Sequence, residues 1–565
     1  MSAKEIIRSH VKQNIKGIML ILTIIAIFSV TELVAAYLLG DLIDSLSSSS
    51  YTRLLRISML VLINFVVNSL CRFLRKYQSA KVCQSTVLQL KKDIVKAVMF
   101  ARVDALGKNY EATLSSIMMN EVNVAAQTIS STLISMLQEP TIAIFSILYI
   151  GVFVDWRMAL IVCVSAPVTI VLGNYFGKRL KNVNDSFYNN NEKSNKFIID
   201  SLLGIKIVKA YLREKNISNR IGIINNKMKK EQLKQSYYQG LNESIIIFAG
   251  FISYLGLYFF GGIFVENNVI SVGDLVSAFQ LVSFITWPIA GFGNAIASYR
   301  SNLAAWNRIS DILNIPQEVA EEDKAKENIQ LLETIDTLEL NDMSFCYPNV
   351  KKNVLKDVKC TIQRGDIVAL VGYNGTGKTT LINLLLRFYE PTKGTIKMNG
   401  IDYQDIDVFD VRKQIAYVSQ EIFIWDGSLR ENIMFGTEED TNLEDYKEVL
   451  EELELYEMYK QEEVHSNFSS ENLSVGFKQR LALARAIVAD CPIVLIDEGT
   501  ANIDKRTEKT ISDNFSKWFK DKIVIIIAHG IIAYEVSNRF VLLDDGQLHE
   551  VEKNDPRIVH LLSND

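Results

Sequence analysis

Apolar residues gather into six long runs in the first half of the chain and into short, strand-length runs in the second. The six lie near residues 17–39, 55–74, 130–153, 158–176, 243–264 and 274–297. Crossing about 30 Å of hydrocarbon takes roughly 20 helical residues, so each run predicts a membrane span. Only "VDWRM" separates the third from the fourth, which predicts a tight hairpin. Long polar connections without proline follow the second and fourth runs. They are rich in helix formers and predict membrane helices that continue far into water.

Charge orients these spans. Residues 177–242 carry 14 Lys/Arg and residues 75–127 carry 8, while the remaining turns carry few. Positive residues stay on the cytoplasmic side, so both long connections and both termini are expected there. A charged stretch near 316–328 marks a change of pattern. The expected organisation is a transmembrane domain over 1–315, a linker over 316–332 and a second domain over 333–565. At 565 residues the chain is too long for one ordinary domain. Its mean hydropathy of +0.13 suits a membrane protein, and its net charge of -5 argues against nucleic-acid binding. The six cysteines form no CxxC pair and predict neither a zinc site nor a disulfide framework. The first apolar run lacks a small-residue cleavage signature, so an uncleaved span is expected.

The second domain carries the chemistry. "VALVGYNGTGKTTLINLLL" sets an apolar strand before Gly372, Asn374, Gly375, Thr376, Gly377, Lys378, Thr379 and Thr380, then an apolar helix. This is a phosphate-binding loop in its strand–loop–helix context. Its glycines let backbone N–H groups turn toward phosphate, and the helix start adds positive partial charge. Lys378 is expected on the β- and γ-phosphates of ATP, and Thr379 on Mg²⁺. "CPIVLIDEGTANID" ends a buried strand in Asp497, a Mg²⁺ ligand through water, and Glu498, a general base for the attacking water. "DKIVIIIAHG" ends another strand at His529, which falls on the same sheet edge and is expected near the γ-phosphate.

Over about residues 10–560 the chain resembles an ATP-binding cassette (ABC) exporter half-transporter, a membrane domain fused to a nucleotide-binding domain. The resemblance implies a six-helix all-α transmembrane domain with long cytoplasmic extensions, then an α/β P-loop ATPase cassette with a helical subdomain. It implies an integral protein of a cytoplasmic membrane, in contact with membrane lipids, its cassette in the cytoplasm. "LLGIKIVKAYLRE" (202–214) resembles a coupling-helix segment, and residues near 103–115 are expected to hold another. "ISVGDLVSAFQ" (270–280) also resembles a family segment. Tyr347 is similar to the aromatic that stacks on adenine. Gln420 is similar to the glutamine that bridges Mg²⁺ or water to the membrane domain. Asp504 resembles an aspartate that signals across a cassette dimer. "LSVGF" (473–477) resembles the signature LSGGQ, whose serine and glycine, Ser474 and Gly476, serve the ATP held by a second half-transporter.

The signature departs from its family at Val475 and, more severely, at Phe477, where an amide is replaced by a ring with neither donor nor acceptor. "HSNFSSEN" (465–472) matches the neighbouring x-loop poorly. An intact catalytic face beside an altered signature predicts a heterodimer with asymmetric ATP sites, with a homodimer of two working sites as the alternative. The expected activity is ATP-driven export of a peptide, lipid or amphipathic drug-like molecule. A nucleotide-gated, non-transporting protein on the same fold is the other class. With few residues ahead of the first span, no leader-trimming peptidase domain is expected. Glu32 and Glu139 are ionisable groups inside spans and are expected to line a substrate cavity that favours a cationic or peptide-like molecule.

Overall fold

The computed structural model describes the chain apart from residues 1, 48–50, 107–109, most of 164–192, 319–333, 349, 351, 438–440, 463–472, 498–504, 528–530 and 564–565. The chain divides into two compact units. One is Met1–Met99 with Asn109–Ile315; the other is Phe100–Lys108 with Pro316–Asp565.

Among the described residues, five helices of the first unit are long and apolar enough to cross a membrane: Ile15–Leu46, Tyr51–Met99, Thr113–Val154, Glu214–Glu266 and Val272–Leu313. They contain the first, second, third, fifth and sixth predicted spans. Of the fourth, the continuous described part is the helix Trp156–Cys163, and most of the remainder lies outside the described residues. Between the third and fourth runs Asp155 makes the turn, its carboxylate accepting from Arg157 N at 2.7 Å. Tyr51–Met99 is 49 residues long. At 1.5 Å per residue it spans about 70 Å, more than twice the hydrocarbon thickness. The first long connection therefore begins as a continuation of a membrane helix.

The chain opens with a helix that the span pattern did not announce. Ala3–Gln13 is capped by Ser2 and Glu5 and buries Ala3, Ile6, Ile7 and His10 on one face. That stripe packs with Ile21, Leu90, Ile94, Ile129, Trp306 and Ile309. Trp306 is fully buried and donates its indole N–H to the hydroxyl of Thr128 at 3.2 Å. The start of Val272–Leu313 is held against the first membrane helix. Asp44 accepts from Ser271 Oγ at 2.7 Å and from Gly273 N at 2.8 Å. Gly40 and Gly273 meet backbone to backbone, and a Cβ on Gly273 would come within 2.3 Å of the Gly40 carbonyl oxygen.

Among the described residues, the second unit holds two sheets. Strands β1 (Thr337–Phe345), β2 (Leu355–Gln363), β3 (Ile367–Val371), β4 (Lys393–Met398), β5 (Ile401–Asp402), β6 (Ile415–Val418), β7 (Ile493–Asp497), β8 (Ile523–Ile527), β9 (Arg539–Asp544) and β10 (Gln547–Val551) divide between them. The antiparallel sheet runs β2-β1-β4-β5 and the larger runs β10-β9-β3-β8-β7-β6. In the larger sheet β9, β3, β8, β7 and β6 are mutually parallel. Strands covered on both faces read as continuous apolar runs, as "IVALV", "IVLI" and "IVIII" do. Alternate side chains enter two cores. Val368 and Leu370 join the core that includes Leu381 and Leu385 of the helix Lys378–Leu385. Ala369 and Val371 join the core that includes Leu481 and Val488 of the helix Val475–Val488.

Candidate functional site: an ATP-binding edge

Parallel strands deliver their C-terminal ends to one edge, where α/β sheets bind ligands. Here that edge carries, in spatial order, the loop after β3, the end of β8 at Ile527, Asp497 at the tip of β7 and Ser419–Gln420 after β6. Neighbouring strands lie about 4.8 Å apart, so four separated stretches of sequence converge within one nucleotide's reach.

The loop after β3 is shaped by its glycines. Gly375 and Gly377 have φ of 82° and 111°, in the left-handed region. A Cβ on Gly372 would lie 2.6 Å from the Leu543 carbonyl oxygen, and one on Gly377 2.9 Å from Val354 Cγ1. This tight backbone aims the start of the helix Lys378–Leu385 into the loop. Lys378 is buried and donates to the carbonyls of Gly372 at 2.6 Å and Tyr373 at 3.2 Å. Thr376 closes the turn, donating to Tyr373 O at 2.8 Å. Asn374, Gly375 and Thr379 are exposed, Thr379 at the first turn of the helix. Asp497 is 2% exposed and Gln420 is open to solvent.

Tyr347 lies against Phe345 and Tyr389, with ring centroids at 5.0 and 5.2 Å in edge-to-face contact. Its hydroxyl meets that of Thr380 at 3.0 Å. Thr380, expected among the nucleotide ligands, is buried and also ties the Tyr347 ring to the helix. Glu498, Asp504 and His529 lie outside the described residues, as does the x-loop stretch 465–472.

The signature segment corrects the sequence reading at its most telling position. Ser474 caps the helix Val475–Val488, its Oγ accepting from Phe477 N at 3.1 Å. Phe477 is only 5% exposed and belongs to the core with Leu481, Ala484 and Val488. Its ring therefore points into the cassette rather than outward. The departure that reaches the surface is Val475, 56% exposed. Arg485, which the sequence reading passed over, braces the same helix. It donates to Asn432 O at 2.5 Å, Asn432 Oδ1 at 2.6 Å and Phe423 O at 2.5 Å. Burial pushes its guanidinium down to about 10, still charged at neutral pH. It thus fixes the segment that follows Gln420 to the signature helix.

Of the two membrane carboxylates, Glu32 departs from the expected cavity position. Glu32 is buried between helices, accepting from Asn68 Nδ2 at 2.8 Å and Arg72 at 3.0 Å. Arg72 in turn donates to Asn68 Oδ1 at 2.9 Å. Glu32 is a neutralised helix–helix contact and offers no open anionic wall to a cationic substrate. Glu139 is half-buried, and a Cβ on Gly291 would lie 3.1 Å from its carboxyl carbon.

Family comparisons agree with this geometry. A family described as "ABC transporter transmembrane region" matches residues 17–289, and one described as "ABC transporter" matches residues 355–501. An ATP-dependent lipid A-core flippase of Syntrophus aciditrophicus is 24% identical, over 91% of this chain and 85% of its own length. A lactococcin-A transport/processing ATP-binding protein of Lactococcus lactis is 28% identical, over 93% of this chain and 73% of its own. An uncharacterized ABC transporter ATP-binding protein of Bacillus subtilis is 26% identical, over 96% and 90%. With a membrane unit of long apolar helices and a cassette that carries its phosphate loop at the C-terminal edge of a parallel sheet, the chain belongs to the ABC transporter family, as an integral-membrane half-transporter with a cytoplasmic ATPase cassette.

Proposed function

We propose that the chain exports an amphipathic molecule, a lipid or a peptide, driven by ATP bound between two cassettes. The observation that carries this is the convergence of the phosphate loop, Asp497 and Gln420 on one sheet edge. The lipid or peptide class follows from what the flippase and lactococcin relatives are named for. On this reading Lys378 and the loop amides hold the β- and γ-phosphates, and Tyr347 stacks on adenine. Glu498 takes the proton of the attacking water, and His529 orients that water. Thr379, Asp497 and Gln420 offer hard oxygen donors beside the glycine-shaped cradle and fit Mg²⁺. When bound, the ion offsets charge on the phosphate oxygens.

Ser474 and Gly476 serve the nucleotide held by a second half-transporter, and Asp504 faces that partner. With Phe477 buried, the altered signature residue that faces outward is Val475, and we favour a homodimer with two working sites. A dimer also covers apolar surface left open in each unit. Leu202, Leu203, Ile207, Tyr211 and Leu212 are exposed in the membrane unit, and Phe423, Trp425 and Phe435 in the cassette. Purification of a tagged chain from its native membrane tests the assembly. Self-association with ATP turnover is expected; an obligatory second, different half at equal amount overturns the homodimer.

A further inference from the structure

The second unit contains one stretch from far away in sequence. Phe100–Lys108, which follows the helix Tyr51–Met99, belongs with Pro316–Asp565. It is stitched to the start of the cassette segment by two antiparallel bonds. Arg102 N donates to Pro316 O at 2.9 Å, and Glu318 N donates to Phe100 O at 2.8 Å. The Glu318 carboxylate then receives both arms of Arg412, at 2.7 and 2.8 Å. The pair is well shielded, with side chains 11% and 23% exposed. Arg412 has further donors, and they go to the end of the phosphate-loop helix. Its Nε donates to Leu386 O at 3.0 Å, and one terminal nitrogen to Arg387 O at 3.2 Å. Leu386 is the C-cap of Lys378–Leu385, the helix whose first residue is the phosphate-loop lysine.

We propose that Arg412 is a positioning residue that couples nucleotide occupancy of the phosphate loop to the Phe100–Arg102 stretch of the membrane domain's first cytoplasmic connection. The planar guanidinium has five donors in a fixed fork. It holds the far end of the phosphate-loop helix and the Glu318 carboxylate at once. A displacement of that helix on phosphate binding is therefore passed to Glu318, and through its N–H to Phe100. The relay lies within one chain, so it operates whichever partner completes the dimer. Lysine at 412 keeps the charge but loses the fork. Glutamine at 318 keeps the side-chain length but loses the charge. Both lie apart from every residue placed on ATP above.

The test uses the assembled transporter in vesicles of phosphatidylethanolamine and phosphatidylglycerol, with its native cysteines replaced. Spin labels at Leu88 and Ile223, each 71% exposed, report separation of the extensions of the helices Tyr51–Met99 and Glu214–Gly256. Distances are recorded with and without a non-hydrolysable ATP analogue. In Arg412→Lys and Glu318→Gln, analogue affinity is expected to stay within about twofold of the parent. The analogue-driven distance shift is expected to fall at least ~5-fold, the lower end of typical allosteric coupling. The double variant is expected to be no worse than the worse single, as members of one relay behave. A shift present in the parent and retained in both variants overturns the relay alone. Affinity, thermal stability and shift falling in parallel also overturn it, since that marks a brace. A parent with no shift overturns the exporter reading and the relay together.

Discussion

At position 477 a phenyl ring stands where related signatures carry an amide, and the core has closed around it. Read as a motif position, the ring is a lost contact. Read as a helical position, it is the first member of a stripe, Phe477, Leu481, Ala484 and Val488, spaced at one face of a 3.6-residue helix. The second reading was available in the sequence and is the one the fold obeys. Restoring the family glutamine by Phe477→Gln buries an amide among apolar neighbours. It is expected to destabilise the cassette by roughly 1–3 kcal/mol, read by thermal melting, without raising ATP turnover. Arg485 gave no local signal, because its partners Phe423 and Asn432 are more than fifty residues away. Arg485→Ala removes a donor from the carbonyls of Asn432 and Phe423, and one of two donors from Asn432 Oδ1. It is expected to cost about 2–4 kcal/mol by the same measurement. Glu32 teaches the converse: polarity within a span was visible, but its cancellation by Arg72, forty residues on, was not.

The elements themselves were largely legible. Five of the predicted spans fall within long helices, because runs of about 20 apolar residues have few other solutions. The strands that carry the site were legible because each is a short apolar run ending in a chemical motif. The helix Ala3–Gln13 shows its period at residues 3, 6, 7 and 10, but at eleven residues it is too short to register among the span-length runs. Contacts between elements were not legible. The seam between Ile15–Ser47 and Val272–Leu313 depends on two glycines and a cap more than two hundred residues apart. Gly273→Leu drives a side chain into the Gly40 carbonyl and is expected to abolish assembled protein in the membrane, seen by detergent gel filtration. Asp44→Ala removes the acceptor from Ser271 and Gly273. It is expected to cost about 1 kcal/mol, the scale of a lost helix cap, and to lower the melting temperature while protein still accumulates.

At the scale of the whole molecule, ATP chemistry belongs to the cassette and movement belongs to the membrane unit. Nothing in the local sequence pattern shows how one reaches the other. The sequence located the phosphate loop and both acids but left open which surfaces face a partner. The structure leaves Val475 as the altered signature residue at the surface and turns Phe477 inward. On the proposed reading, Glu498, next in sequence to the buried Asp497, drives ATP turnover for export. The most direct measurement is steady-state ATP hydrolysis and nucleotide retention by Glu498→Gln and the parent, in the same lipid vesicles. Removal of a general base in this position is expected to lower turnover by about 100-fold or more while bound ATP is retained. Hydrolysis persisting at the parental rate contradicts the account.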